Sequence, residues 1–194
     1  MQGASIAIDD LACQRGDRLL FRGLSLRLRA GEALRVVGRN GIGKSSLLRI
    51  VAGLAPPFAG KVNAEGAIGL VDERPALDPA RTLGEALAFW RQIDGAGERN
   101  GDLGRLGLEA LLDVPVRYLS TGQKKRAALA RLLGQEAGIW LLDEPLNGLD
   151  THAAALAEAL TAEHCAAGGI ALIASHQPFA LPGMATLALS DYTT

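Results

Sequence analysis

Nine residues, Gly38 to Ser46 (GRNGIGKSS), limit what this chain can fold into more than any other stretch. They fit the spacing G-x-x-x-x-G-K-[ST]. An apolar run, Leu34 to Val37, leads into them. Behind them, Ser45 to Gly53 carries Leu47, Leu48 and Val51 at helical spacing. A strand must therefore pass into a helix through a glycine loop. Gly38, Gly41 and Gly43 permit turn conformations closed to other residues and keep Cβ atoms away from a ligand. The main-chain N–H groups from Arg39 and Asn40 through Ile42 to Ser46 can then point inward as an anion nest, reinforced by the positive end of the following helix. Lys44 supplies a point charge for the outer phosphates of a nucleotide, and the Ser45 hydroxyl can ligate Mg²⁺.

Ile139 to Pro145 (IWLLDEP) forms a counterpart. Its continuous apolar run marks a strand buried on both faces of a parallel sheet. Two carboxylates at its end lie at the sheet edge where ligands bind. Asp143 would hold Mg²⁺, directly or through water. Glu144 is then free to accept a proton from, or to orient, an attacking water.

The remaining pattern suits an α/β core. Ser5 to Ile8 and Leu24 to Leu28 alternate apolar and polar residues, as half-buried antiparallel strands do. Pro56 to Gly66 reads as turns and Ala67 to Val71 as a short strand. Arg81 to Leu112 has helical patches broken by Gly95, Gly97, Gly101 and Gly104, expected as a small helical subdomain containing a loose loop. Ala153 to Glu163 reads as a helix and Ile170 to Ala174 as a second buried strand. The tail after Pro182 is expected to add at most an edge strand.

Leu119 to Leu133 (LSTGQKKRAALARLL) opens with small polar residues and continues as a helix. Ser120 and Gly122 would stand at its N-terminus, a second anion site. Ala127, Leu129, Ala130, Leu132 and Leu133 would pack inward, and Lys124, Lys125 and Arg126 would form a solvated face.

Together these motifs resemble an ABC-type ATP-binding cassette. LSTGQ is similar to the signature LSGGQ, with Thr121 in place of its first glycine. Asn147 to Asp150 (NGLD) resembles the D-loop, and His176, just past Ile170 to Ala174, stands where the family keeps its switch histidine. The five motifs occur in the family's order over most of the chain. The resemblance implies a P-loop NTPase core with a mostly parallel sheet, an N-terminal antiparallel β subdomain and a helical subdomain at roughly residues 80–135, within one cassette spanning the chain. It implies ATP and Mg²⁺ as ligands and a head-to-tail pair of chains with ATP between them. Ser120, Thr121, Gly122, Gln123 and Asp150 would then contact the nucleotide held by the other copy, and His176 would reach the γ-phosphate. His152 and His164 are expected to be ordinary core histidines.

Three departures stand out. Where the family stacks an aromatic ring on adenine, this chain has Arg15 within CQRGDRLLF, with Phe21 as the alternative; a guanidinium plane can also stack on a base. The family's glutamine after the middle strand is missing. LVDERPALDP offers Glu73 or Arg74 instead, and Gln92 lies too far on. Glu73 could still touch the metal, whereas an arginine would not. The chain is also short for a cassette, which is expected to exclude a regulatory C-terminal domain, a second cassette or long coiled-coil insertions.

Bulk properties narrow the class further. A formal net charge of -1 over 194 residues gives no electrostatic case for nucleic acid or for a basic membrane-surface patch. Cys13 and Cys165, the two cysteines, have no metal-like spacing and read as free thiols of a reducing compartment. The N-terminus lacks a signal peptide, and no apolar run approaches the ~20 residues that span a bilayer. These properties lead to the expectation of a cytoplasmic protein; the family resemblance implies that it sits at the inner face of a bacterial inner membrane, held there by an integral-membrane permease.

Within the family, the small size, the arginine in CQRGDRLLF and SHQP at Ser175 to Pro178 resemble the ATP-binding subunit of the haem exporter of cytochrome c maturation. That implies hydrolysis driving release or handover of haem by the complex. No residue here offers a haem site of its own. Another small-substrate transporter, or a soluble nucleotide-gated clamp, is the alternative.

Overall fold

The computed structural model describes residues 3–73, 75–95 and 102–193. Two sheets organise them. The hairpin of β1 (Ser5–Arg15) and β2 (Arg18–Arg29) turns at Gly16 and Asp17, with Arg15 opposite Arg18. A third strand, β4 (Ala59–Glu65), pairs antiparallel with the other edge of β1. The second sheet is parallel throughout, in the order β5-β6-β7-β3-β8. It comprises β3 (Ala33–Val37), β5 (Ile68–Val71), β6 (Ile139–Asp143), β7 (Ile170–Ala174) and β8 (Ala185–Ala188).

Side-chain alternation splits the core into two layers. Leu34 and Val36 of β3, with Ile139 and Leu141 of β6, face Ile6, Ile8 and Leu11 of the antiparallel sheet and Leu47 and Leu48 of α1 (Lys44–Val51). Ala33, Trp140 and Leu142 face the opposite way. There they meet α3 (Thr121–Gly134) and α4 (Thr151–Ala166) through Leu129, Leu132, Ala157 and Leu160. Helix α2 (Leu83–Asp94) packs beside α3. All residues of β6 and β7 are buried, which explains their unbroken apolar sequences.

Helix starts follow local chemistry. Thr82 and Glu85 form a reciprocal capping box on α2, and Ser120 and Gln123 form another on α3. Asp150 caps α4 by accepting from the Ala153 N–H at 2.8 Å.

The reading of Pro56 to Gly66 as turns is corrected: Ala59 to Glu65 is a strand whose ladder partners lie in β1, far back in sequence. The tail does supply an edge strand, β8, parallel to β3. The helical stretch after Arg81 holds α2 and a short 3-10 turn, Glu109–Leu111; Gly97 and Gly101 lie outside the described residues.

Candidate functional site

The C-terminal ends of β3, β5, β6 and β7 converge on an open cleft of about 460 Å³. The glycine loop follows β3. Gly43 takes φ 117, and a Cβ there would come within 3.0 Å of the Phe21 ring. A side chain at this position is thus excluded by conformation and by packing. Ile42 contributes main chain only, its side chain being buried against Gly38. Arg39, Asn40 and Gly41 are exposed at the loop's crest, and Ser45 and Ser46 are half-buried in the first turn of α1.

Lys44 is 6% exposed. Its ammonium donates to the Gly38 carbonyl at 2.9 Å and lies 3.7 Å from Glu144 Oε1. The other carboxylate oxygen, Oε2, accepts from the main-chain N–H of His176 at 3.2 Å and meets His176 Nδ1 at 2.8 Å. One carboxylate therefore bridges a lysine and a histidine. With Nδ1–H donating to Glu144, the neutral ring leaves Nε2 free as an acceptor. Glu144 adopts φ 45, a left-handed conformation unusual outside glycine and asparagine, while its own N–H donates to Ala174 O at 2.8 Å. The turn out of β6 is thus bent sharply at the carboxylate and tied to β7.

Asp143, the last residue of β6, is 3% exposed, and its Oδ1 has no hydrogen-bond partner. Burial pushes this carboxyl above its ordinary pKa; the Ser45 hydroxyl and the Lys125 ammonium pull it back, and Asp72 and Glu144 push it further up. An orphaned buried oxygen beside a serine hydroxyl is a donor set that fits a hard divalent cation. Among the described residues no group of three or more His, Cys, Asp or Glu could hold a metal unaided, so further oxygen ligands would have to come from nucleotide and water.

Of the residues expected to meet nucleotide or metal in cis, Arg15, Glu73, Asp143, Glu144 and His176 line the same cleft as the glycine loop. Phe21 is fully buried beneath Gly43 and is corrected as a stacking candidate. Arg74 lies outside the described residues. Asn147 and Arg18 also line the cleft and were missed. The signal for Arg18 was its place directly across the hairpin from Arg15. Asn147 is tied to the strand end through Gln177, whose Nε2 donates to Asn147 Oδ1 at 3.1 Å.

The LSTGQ and NGLD segments pack against each other. A Cβ on Gly122 would meet Gly148 O at 2.5 Å. Ser120 Oγ accepts from Gln123 N–H at 3.2 Å, and Gln123 Oε1 accepts from Ser120 N–H at 2.8 Å. Thr121 and Asp150 are exposed. The motif's polar atoms thus already organise the helix end, with the Ser120 hydroxyl proton left to donate outward.

One expectation is overturned here. Lys125 does not belong to a solvated face: it is 3% exposed, and Arg126 is half-buried, donating to Leu106 O at 2.8 Å. Lys125 shares the inward stripe with Leu129 and Leu132, at i, i+4 and i+7. Of the remaining histidines, His164 stacks on Trp140 at 4.0 Å and contacts Ile170 O at 3.3 Å, as a core histidine does. His152 instead is exposed on the first turn of α4.

Residues 21–147 match the family model described as ABC transporter. The cytochrome c biogenesis ATP-binding export protein CcmA of Novosphingobium aromaticivorans is 56% identical over 192 residues, covering 99% of both chains. The protein of the same name from Zymomonas mobilis is 46% identical, covering 97% of this chain and 86% of that one. Among solved structures, the ATP-binding subunit of an ABC transporter superposes with a TM-score of 0.81 at 24% identity, over 88% of this chain and 79% of that one, a likeness of fold. A bacterial Atm1-family ABC exporter with ATP bound gives 0.76 at 25% identity, over 90% of this chain and 35% of that one. The chain belongs to the ABC transporter family, in the branch of ATP-binding subunits that holds these CcmA relatives.

Proposed function

We propose that this chain binds and hydrolyses ATP as the motor subunit of a membrane transporter complex serving the export step of cytochrome c biogenesis, with haem handled by the complex rather than by this subunit. The observation that carries the catalytic part is the bridge from Lys44 through Glu144 to His176 at the mouth of the cleft. Lys44 and the loop N–H groups bind the phosphates. Glu144 accepts a proton from, or orients, the attacking water, and His176 fixes that carboxylate through Nδ1–H; its Nε2 meets a γ-phosphate oxygen only as a donor, with both ring nitrogens protonated. Ser45, Asp143 and, from the β5 side, Glu73 are the residues that would hold Mg²⁺, which when bound neutralises charge on the phosphates. Arg15, which lines the cleft, would lie against the base.

The partners follow the same reading. A second copy would apply Ser120 to Gln123 and Asp150 to the nucleotide. Among the described residues no helix is long and apolar enough to cross a membrane. A separate groove of about 450 Å³, lined by Leu54, Leu70, Pro75, Leu77 and Trp90, adjoins the loop after β5 and suits a helical segment of a permease. Leu54 is 67% exposed there, and Phe89 and Ile93 of α2 are also exposed. Held by such a permease, the subunit would sit at the inner face of a bacterial inner membrane.

Affinity isolation of the full-length chain from native membranes tests the proposal. Recovery of an integral-membrane permease together with haem-handling proteins is expected. A permease of another kind would retain the ATPase and remove the cytochrome assignment. Recovery without a membrane protein, combined with unimpaired c-type cytochromes in a deletion strain, would overturn the transport reading.

A further inference from the structure

Lys125 is a buried cation to which neither the phosphate site nor the LSTGQ motif assigns a role. Its Nζ lies 3.4 Å from Asp72 O and 3.4 Å from Asp143 O, so among the described residues its hydrogen-bond partners are two main-chain carbonyls. These carbonyls stand at a split in the sheet. Strands β5 and β6 are paired as far as Val71 and Leu142. Beyond that point β6 keeps its partner β7, Asp143 lying opposite Ala174, while the chain after β5 turns away. The ammonium takes up the two carbonyls where the β5–β6 ladder stops, a place that would otherwise leave buried acceptors unpaired.

Three functional pieces meet at this point. Asp72 leads into Glu73, which lines the cleft. Asp143 leads into Glu144. Lys125 itself stands in the first turns of α3, which begins at the LSTGQ motif. Burial pushes the Lys125 amine below its ordinary pKa, and Asp143, Asp72, Glu73 and Glu144 act against it by favouring the protonated form. Three residues earlier, one turn back along the same helix end, Gly122 is packed on Gly148 O. The start of α3 is therefore held both to the loop after Glu144 and to the two strand ends.

We propose that Lys125 is a positioning residue, whose buried ammonium fixes the Asp143–Glu144 pair and the Glu73 loop relative to the LSTGQ helix. This rests on the ATPase reading above. A lysine here need not touch nucleotide; it sets the distance between the carboxylates of one site and the motif that would serve the other.

The test is steady-state hydrolysis of MgATP by the full-length chain, alongside its melting temperature and hydrogen exchange. Wild type and Glu144→Gln are run first, because turnover that Glu144→Gln does not abolish would defeat the ATPase mechanism itself, and with it this proposal. With that control in place, Lys125→Met should lower kcat by about 10-fold or more with KM changed less than about 3-fold, the mark of an interaction that acts on turnover rather than on binding. Lys125→Arg, which keeps charge and donors, should recover most of the rate. Hydrogen exchange in Lys125→Met should accelerate at residues 72–73, 120–123 and 143–144 and not in β1 or β2. If Lys125→Met does not fold, Lys125→Gln replaces it; its shorter neutral amide cannot reach both carbonyls, so the same loss of kcat is expected. A variant with kcat within about 2-fold of wild type would overturn the proposal, as would a rate loss matched by faster exchange throughout the chain.

Discussion

At the scale of single residues, Glu144 occupies the decisive position because its two oxygens face different partners. Oε1 looks toward Lys44 and Oε2 is taken by His176. Glu144→Gln keeps the shape and removes the proton acceptor. Its kcat should fall about 100-fold or more while fluorescent-nucleotide affinity stays within a few-fold; equal losses in both would show that the residue serves binding. His164 makes a different prediction. Burial holds its imidazole below the ordinary value of 6.5. The unfolded chain therefore takes up a proton that the folded chain resists. The stability this neutral ring contributes is complete above about pH 6.5 and is lost as pH falls below it. Melting temperature should drop between pH 7 and pH 5.5, and His164→Asn should flatten that part of the curve. The glycine loop and the Asp143–Glu144 pair were legible from short local patterns, whereas His176 was singled out only by the family resemblance and its place just past Ile170 to Ala174. Lys125 was not, although its phase with Leu129 and Leu132 carried the signal: three adjacent cations outweighed a stripe that one of them shares.

At the scale of elements, two helices begin with the same device, and that allows stability to be separated from function. Thr82 caps α2 and Ser120 caps α3, each in a reciprocal box. Thr82→Ala and Ser120→Ala should each cost about 1 kcal/mol in denaturant unfolding. Only Ser120→Ala should also lower ATP turnover beyond the loss of folded protein, since only that hydroxyl would be offered to a second copy's nucleotide. Equal activity in the two variants would reduce LSTGQ to a helix cap. The strands of the parallel sheet could be read from continuous apolar runs. Strand β4 could not, because its sequence, AGKVNAE, is mostly exposed at a sheet edge and it exists through pairing such as Ser5 with Glu65. No local pattern encodes a partner so distant in the chain.

At the scale of the whole molecule, the cleft is complete on one side only: the loop, the carboxylates and His176 surround it, while the LSTGQ motif sits elsewhere on the same chain. A pair of copies related by a two-fold axis would satisfy both. Glu144→Gln with MgATP should therefore run in light scattering at about twice the 20.2 kDa of the chain, and as a single copy without nucleotide. A mass that does not change with ATP would remove the pairing. The α/β class and the order of the five motifs were visible from sequence, whereas the two-layer core, with α1 and the antiparallel sheet on one face and α3 and α4 on the other, emerges only from which faces meet.

The backbone contact between Gly122 and Gly148 bears on how this sequence can vary. Thr121, beside it, is exposed and already differs from the glycine that the family signature carries there. Gly122 has no such room, because a Cβ would sit 2.5 Å from a carbonyl oxygen that belongs to the main chain and cannot rotate away. In a saturation library selected for activity, position 121 should return many residues and position 122 glycine alone. The intolerance at 122 would be imposed by a neighbouring loop within one copy, so such a library reports packing as faithfully as it reports chemistry.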